Sequence, residues 1–240
     1  MKQFPALVIT GPGTNRDNDV ALALEMAGAA PKIMRAREVI ERPRALDETS
    51  LAVVAGGFSY ADSLGAGRML ALDLTIGLGE GLKQFVASGR PLLGICNGFQ
   101  VLTSSGLLPG SLGHNAQGRF DCRWVVLDPS PRSHSVWTKG IDDPIHCPIA
   151  HGEGRYVHPD PASLDHAGQV ALRYRSTNPN GSVADIAGVS DPSGVVLGLM
   201  PHPENHIVPR QHPRHSRGGG GPTHLGLRLF ENGVRHAKSL

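Results

Sequence analysis

Short, continuous apolar runs that alternate with helix-length segments constrain the fold of this chain more than any other feature. Three of these runs have strand length and carry no charged residue, at residues 6–10, 51–55 and 92–95. Such runs are typical of strands that are covered on both faces. Helical patterns are expected at about residues 16–27, 62–74 and 78–87, and a weaker strand around Ile33 and Met34. This alternation predicts an α/β fold with a doubly wound, mostly parallel sheet.

The C-terminal half follows a different pattern, which indicates antiparallel additions to the same sheet. Residues 120–127, 145–150 and 170–174 have β-like sequences. Residues 185–190 and 195–200 flank an Asp-Pro-Ser-Gly sequence and are expected to form a hairpin. An apolar pattern over residues 225–236 predicts a closing helix. We expect a single domain that spans residues 1–240.

The composition excludes several classes of protein and partner. A hydrophobic fraction of 40% and a charged fraction of 18% are ordinary for a soluble protein with its own core. The net charge of +2, without a run of Lys or Arg, gives no electrostatic reason to expect nucleic acid or a membrane surface as partner. No apolar stretch approaches the ~20 residues of a membrane-spanning helix. Residues 1–10 do not resemble a signal peptide.

The cysteine content predicts a reducing compartment. Three cysteines, an odd number without close spacing, argue against a disulfide framework and against a zinc site. We therefore expect a cytoplasmic protein with free thiols.

The third apolar run leads into a sequence that is typical of a nucleophile elbow. Gly94, Cys96 and Gly98 form a Gly-x-Cys-x-Gly turn between the run and a helical pattern. Cys96 would then stand at the start of a helix, where the helix dipole and free N–H groups favour a thiolate and a developing oxyanion. The alternative is a buried structural cysteine at the end of a strand.

A general base for this cysteine is predicted at the end of the last apolar strand pattern. Residues 195–200 run into Pro201, His202, Pro203 and Glu204. Residues two apart in an extended segment point the same way, so the carboxylate of Glu204 can orient the imidazole of His202. Cys96, His202 and Glu204 would form a Cys–His–acid arrangement. The alternative is that His202, one of 12 histidines in the chain, is simply a solvated or hydrogen-bonded residue.

Further histidines follow in a basic segment, at positions 206, 212, 215 and 224. Their spacings are irregular, and Pro and Arg are interleaved between them, which makes a metal site the weaker interpretation. We expect residues 206–223, which include a Gly run at 218–221, to form a mobile surface loop that acts as a lid or contacts a partner.

Several motifs together resemble the class I (triad) glutamine amidotransferases, and within them the family of glutaminase subunits of phosphoribosylformylglycinamidine synthase. The elbow sequence Gly-Ile-Cys-Asn-Gly-Phe-Gln at 94–100 and Pro-His-Pro-Glu at 201–204 carry the resemblance to the class. Four further motifs carry the resemblance to the narrower family, at residues 56–62, 148–154, 178–182 and 226–232. The resemblance spans most of the chain, and it implies a flavodoxin-like α/β fold.

The resemblance implies a role for each matching residue. Cys96 would attack the side-chain amide of L-glutamine and form a γ-glutamyl thioester. His202 would act as general base and then as general acid, and Glu204 would orient it. The amide of Gly57 or of Phe58, together with that of Asn97, would form the oxyanion hole. Gln100, which lies one helical turn beyond Cys96, would help to hold the substrate.

The resemblance also implies partners outside this chain. The ammonia would pass to a synthase that converts formylglycinamide ribonucleotide to formylglycinamidine ribonucleotide in de novo purine biosynthesis. A sequence of 240 residues has no room for that chemistry, so we expect a large synthetase subunit and a small accessory subunit. ATP and magnesium are expected in the synthase subunit, and no cofactor in this chain. Residues 148–154 are a candidate substrate rim or partner face, or else only a structured turn.

Some positions depart from the family pattern, namely Ala55, Ala61, Gly65 and Asn205. None of them is a member of the predicted triad. Two alternatives stay open from the residues alone. One is a free-standing cysteine hydrolase or peptidase of similar fold, and the other is a regulatory subunit that retains only the fold.

Overall fold

A nine-stranded mixed sheet forms the centre of the fold in the computed structural model, which describes residues 4–218 and 224–240. The strand order is β2-β1-β3-β4-β11-β10-β9-β6-β7, and a small separate ribbon pairs β5 with β8. The strands are β1 (Pro5–Thr10), β2 (Ala30–Arg35), β3 (Leu51–Val54), β4 (Leu92–Ile95), β5 (Ser111–Gly113), β6 (Asp121–Pro129), β7 (Ile145–His151), β8 (Arg155–Val157), β9 (Val170–Tyr174), β10 (Ile186–Ser190) and β11 (Val196–Leu199).

One half of the sheet is parallel. Strands β2, β1, β3, β4 and β11 pair in parallel, and the residues of β3, β4 and β11 are all buried. Burial on both faces explains why these strands have continuous apolar sequences. The predicted β1, β3 and β4 are confirmed, as is the weak strand around Ile33 and Met34.

The other half of the sheet is antiparallel, as predicted for the C-terminal half. Strands β10 and β11 form the expected hairpin, and β9, β6 and β7 extend the sheet from β10. Alternate residues of β7 are buried and half-buried, which matches its partly alternating sequence. The predicted α/β fold with a parallel sheet and antiparallel additions is therefore confirmed.

Helices cover both faces of the parallel half, as a doubly wound sheet requires. They are α1 (Asp17–Met26), α2 (Ala36–Glu41), α3 (Arg44–Asp47), α4 (Arg68–Ala87), α5 (Asn97–Ser104), α6 (Pro161–His166) and α7 (Leu227–Ala237). Helices α1 and α7 pack together on one face, whereas α5 packs on β3, β4 and β11 and contacts α4. The core lies between these layers and includes large side chains such as Phe85, Phe99 and Phe230.

Two expectations for helices are wrong in detail. The two helices expected at 62–74 and 78–87 are one continuous helix, α4. It passes through Gly77, where the side chain of Ile40 from α2 packs directly against the helix backbone. The sequence predicts no helix in the charged stretch around Pro43, which contains α2 and α3. Tertiary packing overrides the local glycine and proline signals here.

None of the helices in the described ranges is long and apolar enough to cross a membrane.

Candidate active site

The predicted site residues converge at the carboxyl ends of the parallel strands. Strand β3 leads to Gly56 and Gly57, β4 to Cys96, and β11 to His202. Strand β1 leads into a turn whose Thr14 pairs with Gly57 in an isolated β-bridge. This is the edge at which open α/β sheets place their sites, and the reversal of strand order between β1 and β3 lies beside it. Gly11–Gly13 also lie at this edge, within the turn that connects β1 to α1.

Cys96 is the residue between β4 and α5, and its backbone is strained. It has φ 51° and ψ −105°, a conformation that non-glycine residues rarely adopt. The turn is possible because Gly98 has no side chain, since a Cβ there would lie 2.0 Å from the carbonyl oxygen of Val54. The Cys96 sulfur lies 3.8 Å from the carbonyl oxygen of Ala150. A strained strand–turn–helix of this kind is the geometry of a nucleophile elbow.

His202 and Glu204 form a buried pair beside Cys96. The imidazole Nδ1 lies 2.6 Å from Glu204 Oε1, and the side chains are 4% and 0% exposed. An ionised carboxylate only accepts hydrogen bonds, so Nδ1 carries a proton and donates it to Glu204. Oε2 of Glu204 has no hydrogen-bond partner within the described part of the chain. The backbone N–H of His202 donates to Pro148 O at 2.8 Å and anchors the residue to β7.

The electrostatic surroundings favour the protonated form of His202. Burial on its own favours the neutral imidazole, but the charge of Glu204 and the neighbouring Cys96 sulfur outweigh it and raise the pKa of His202 to about 10. A protonated imidazole next to a cysteine is the partner that stabilises a thiolate. The same imidazolium can donate a proton to a leaving amine.

The backbone N–H groups of Gly57 and Phe58 are the two candidates to pair with that of Asn97 in the oxyanion hole, and they differ in whether another group already accepts their hydrogen bond. The N–H of Phe58 donates to Gly13 O at 3.1 Å, so it is already used within the fold. Of the hydrogen bonds in residues 4–218 and 224–240, none uses the N–H of Gly57 or of Asn97. Asn97 is the first residue of α5, where helix N–H groups lack intrahelical acceptors. The geometry therefore favours Gly57 with Asn97 over Phe58 with Asn97.

Gln100 lines the same cavity as Cys96, but its amide is largely engaged within the protein. Its Nε2 donates to Glu153 O at 2.6 Å, and its Oε1 accepts from Asn97 Nδ2 at 2.9 Å. Asn97 Oδ1 in turn accepts from the backbone N–H of Ser59 at 3.4 Å. The side chains of Asn97 and Gln100 therefore connect the loop after β3, the nucleophile helix and the loop after β7.

A second histidine lies in the site and was not singled out from the sequence. His151 is 3% exposed and lines the cavity of Cys96. Asn115 holds it, since Asn115 Nδ2 donates to the carbonyl oxygens of His151 and Arg119, and Asn115 Oδ1 accepts from His151 Nδ1 at 3.0 Å. Burial, with the charge of His202, lowers the pKa of His151 to about 4. The motif at 148–154 pointed to this loop, but no local signal pointed to Asn115.

Two departures from the family pattern have visible consequences. Ala61, where the family commonly has glycine, has φ 53°, and its neighbours Tyr60 and Asp62 are also left-handed. Asn205, where the family often has arginine, donates to Asp19 Oδ2 at 3.0 Å and ties the segment after Glu204 to α1. Both positions lie on loops that support the site.

The histidine-rich segment packs against β6 and β7 rather than projecting from the surface. His206 and Ile207 are buried, and the ring of His212 contacts those of Trp124 and His206 at centroid distances of 4.8 and 5.5 Å. The expectation of a surface loop is therefore wrong for its beginning. Residues 219–223 of the Gly run lie outside the described residues. Within the ranges described, no three His, Cys, Asp or Glu side chains are arranged to hold a metal.

The remaining cysteines lack the surroundings of a nucleophile. Cys147 is fully buried in β7, and burial together with the nearby Glu204 raises the pKa of its thiol. Cys122 is exposed, and all three cysteines are free thiols. A strained cysteine beside a buried His–Glu pair, at the edge of a doubly wound sheet, defines the class of cysteine-dependent acyl-transfer enzymes.

Comparisons with known proteins identify the family. Residues 3–237 match the CobB/CobQ-like glutamine amidotransferase domain. The phosphoribosylformylglycinamidine synthase subunit PurQ of Treponema denticola is 43% identical over 267 residues, which cover 96% of this chain and 98% of that protein. Its counterpart from Dehalococcoides mccartyi is 38% identical over 257 residues and covers both chains fully. The chain is thus an enzyme that belongs to the glutamine amidotransferase family and, within it, to the PurQ subunits.

A solved structure supports the same assignment. A chain in the structure of PurLQS from Thermotoga maritima superimposes with a TM-score of 0.80 and 34% sequence identity. The match covers 97% of this chain and 98% of that chain. The alternatives of a peptidase and of a non-catalytic subunit are not supported by these relatives.

Proposed function

We propose that this chain hydrolyses L-glutamine to glutamate and ammonia, with Cys96 as nucleophile, His202 as proton carrier and Glu204 as the group that orients His202. The buried 2.6 Å contact between His202 and Glu204, next to the strained Cys96, is the observation that carries this proposal. The family assignment supports glutamine as the substrate, and the geometry supports these three residues as the triad.

The proposed chemistry follows from the placement of Cys96 beside the buried His202–Glu204 pair. The Cys96 thiolate attacks the side-chain amide carbon of glutamine, and the carbonyl oxygen becomes an oxyanion that the amides of Gly57 and Asn97 stabilise. His202 donates its proton to the amide nitrogen, ammonia leaves, and a γ-glutamyl thioester remains on Cys96. The now neutral His202 takes a proton from water, which attacks the thioester and releases glutamate.

We further propose that the ammonia is used by another polypeptide. Relatives of this chain are named as subunits of phosphoribosylformylglycinamidine synthase, and the similar solved structure is named as PurLQS. The partners would be a large synthetase subunit and a small accessory subunit. The synthetase subunit would bind ATP and magnesium and convert formylglycinamide ribonucleotide to its amidine. The free state of the three cysteines supports a cytoplasmic location.

Replacing the nucleophile tests the division of labour. Cys96→Ala, assembled with the synthase partners, should abolish glutamine-dependent synthesis of the amidine and preserve synthesis driven by added ammonium. The reason is that the variant removes only the acyl acceptor of the first step. Cys122→Ala, which changes an exposed cysteine of β6, is the matched control and should preserve both activities. Equal loss of both activities in Cys96→Ala would contradict the proposal.

Covalent labelling tests the nucleophile independently of turnover. A diazo-ketone analogue of glutamine should form one adduct, located on Cys96 by peptide mass spectrometry. His202→Asn should slow the labelling by several orders of magnitude, because removal of one triad member costs that much. Acceleration by the partner subunits would indicate coupling, whereas an adduct on Cys122 or Cys147 would refute the assignment.

A further inference from the structure

An open groove lies on the more exposed face of β6 and β7. Its volume is about 440 Å³, and the described residues that line it include Trp124, Val126, His146, His212 and Pro213, with no Asp or Glu. Trp124 is only half-buried, although its ring contacts those of His206 and His212. Burial, and then the charge of Arg214, lowers the pKa of His212, so this ring is uncharged at neutral pH. The groove therefore has an apolar, aromatic floor, as is found at the centre of protein interfaces, where Trp is enriched.

The segment 209–217, which borders this groove, carries three exposed arginines. Arg214 lines the groove, whereas Arg210 and Arg217 belong to two short 3₁₀ turns that contact each other. We call Arg210, Arg214 and Arg217 the cationic rim, and none of the salt bridges in the described ranges involves them. Residues 205–230 contain no Asp or Glu, and the net charge of the whole chain is only +2. The rim is therefore a local concentration of positive charge.

The segment that carries the cationic rim is folded onto the protein. The side chain of Gln211 accepts hydrogen bonds from the backbone N–H groups of Ile207 and Val208 at 2.7 and 3.0 Å. The backbone N–H of Arg217 donates to the carbonyl oxygen of Arg214 at 2.9 Å. A surface that is ordered before binding loses less conformational entropy when a partner binds. The groove and the rim thus form a preformed surface.

This surface lies close to the cavity of Cys96. His146 lines the groove and Ala150 lines the cavity, and the two residues are on the same, half-buried face of β7. Four residues of a strand span about 13 Å. A partner that takes up ammonia from Cys96 must cover the mouth of the cavity, because the ammonia would otherwise escape to solvent. The same partner can therefore reach the groove.

We propose that the groove and the cationic rim bind an acidic segment of the synthase partner, which places an apolar side chain against Trp124 and its carboxylates at the arginines. The proposal rests on the function proposed above, because that function supplies the partner. A guanidinium binds a carboxylate in a bidentate manner, which favours this contact. Three arginines beside an apolar groove suit a short protein segment better than nucleic acid, which binds larger surfaces and needs many phosphate contacts.

Fluorine NMR of the full chain labelled with 5-fluorotryptophan tests whether the groove is covered. The chain contains two tryptophans, and Trp137 is fully buried, so its signal is an internal control. Addition of the unlabelled large synthetase and small accessory subunits should shift the signal of Trp124 and leave that of Trp137 in place. Trp124→Phe assigns the two signals. An unshifted Trp124 signal in a complex that forms would overturn the proposal. So would a shift caused by duplex RNA, or by a higher concentration of the chain alone, but not by the partners.

Charge variants test the cationic rim. Combining Arg210→Gln, Arg214→Gln and Arg217→Gln should weaken the affinity for the synthase subunits by roughly 3- to 100-fold, the range for three exposed ion pairs. The variant should also make the affinity less dependent on salt. The matched control combines Lys32→Gln, Arg42→Gln and Arg44→Gln, which remove the same charge from exposed positions near the opposite, β2 end of the sheet. This control should bind like the wild type.

Two comparisons distinguish a failure of this proposal from a failure of the proposed function. Labelling of Cys96 by the diazo-ketone analogue in the absence of partners should be the same in the rim variant and the wild type, which shows that the fold is intact. Wild-type affinity of the rim variant, in a complex that performs glutamine-dependent synthesis, would refute the docking surface alone. A wild-type chain that forms no complex with the synthase subunits would instead refute the proposed function.

Discussion

Gly56 illustrates how one position can control the geometry of the triad. A Cβ at position 56 would lie 2.9 Å from His202 Cε1 and 3.3 Å from the carbonyl oxygen of Ile95. The backbone oxygen cannot move without shifting β4, so the imidazole would have to move instead. Hydrogen bonding to Glu204 at 2.6 Å restricts that movement.

We therefore predict that Gly56→Ala impairs glutamine hydrolysis without a comparable loss of fold. A displacement of about 1 Å in a catalytic group can cost on the order of 10²-fold in rate, so kcat with glutamine should fall by roughly 10- to 100-fold. Synthesis driven by added ammonium reports whether the assembly with the synthase partners is intact, and it should persist. Wild-type kcat in this variant would show that His202 adapts to the methyl group.

At the level of secondary-structure elements, α4 shows that tertiary packing determines whether a glycine can be replaced by a larger residue. Gly77 and Gly79 are two residues apart in the same helix. A Cβ at Gly77 would lie 2.5 Å from Ile40 Cδ1 and Cγ1 of α2, whereas a Cβ at Gly79 would meet no atom within 4 Å. The sequence alone does not distinguish the two glycines.

We predict opposite effects for the two alanine substitutions. Gly77→Ala should lower the free energy of unfolding by about 1–3 kcal/mol, because α2 must move away from α4. Gly79→Ala should raise the free energy of unfolding by about 0.5–1 kcal/mol. At this helix-interior position, alanine gives the unfolded chain less conformational entropy than glycine does, so less entropy is lost on folding. Urea unfolding of the two variants measures both values, and effects of the same sign would contradict this account of the packing.

For the whole molecule, the half-buried His146 makes stability depend on pH. Burial, followed by the charges of His224, His212, His206 and Arg175, lowers the pKa of His146 to about 4. The ring stacks on that of His224 at a centroid distance of 4.4 Å, within the cluster that attaches the segment after Glu204 to β7. The unfolded chain therefore binds a proton at a higher pH than the native state does, near the ordinary histidine pKa of about 6.5.

The contribution of His146 to stability is fully present above pH ~6.5 and is lost as the pH falls towards about 4. We predict that the melting temperature decreases over this interval, and that His146→Gln, which cannot titrate, has a shallower decrease. His158→Gln is the matched control, since this histidine lies on a loop between β8 and α6, outside the cluster. Identical pH profiles for His146→Gln and the wild type would refute this assignment.

Local patterns were sufficient to predict much of this protein. Buried parallel strands require continuous apolar runs, an elbow requires small residues around its nucleophile, and an extended segment aligns residues two apart. For these reasons β1, β3, β4, the hairpin of β10 and β11, and the candidate triad of Cys96, His202 and Glu204 could be named from the sequence. The family motifs added the substrate class for the same reason, because they are short and contiguous.

Only the tertiary structure determined features that depend on close approach between distant segments. One such feature is the hydrogen bond that engages the N–H of Phe58 with the carbonyl oxygen of Gly13. The continuity of α4 and the burial of the segment that begins at His206 are two others. The meeting of Asp62, Arg119 and Glu153 around the cavity of Cys96 belongs to these features as well, because these residues come from separate loops. A sequence determines which groups a chain carries, but long-range packing determines which of them meet and which remain free to bind a ligand.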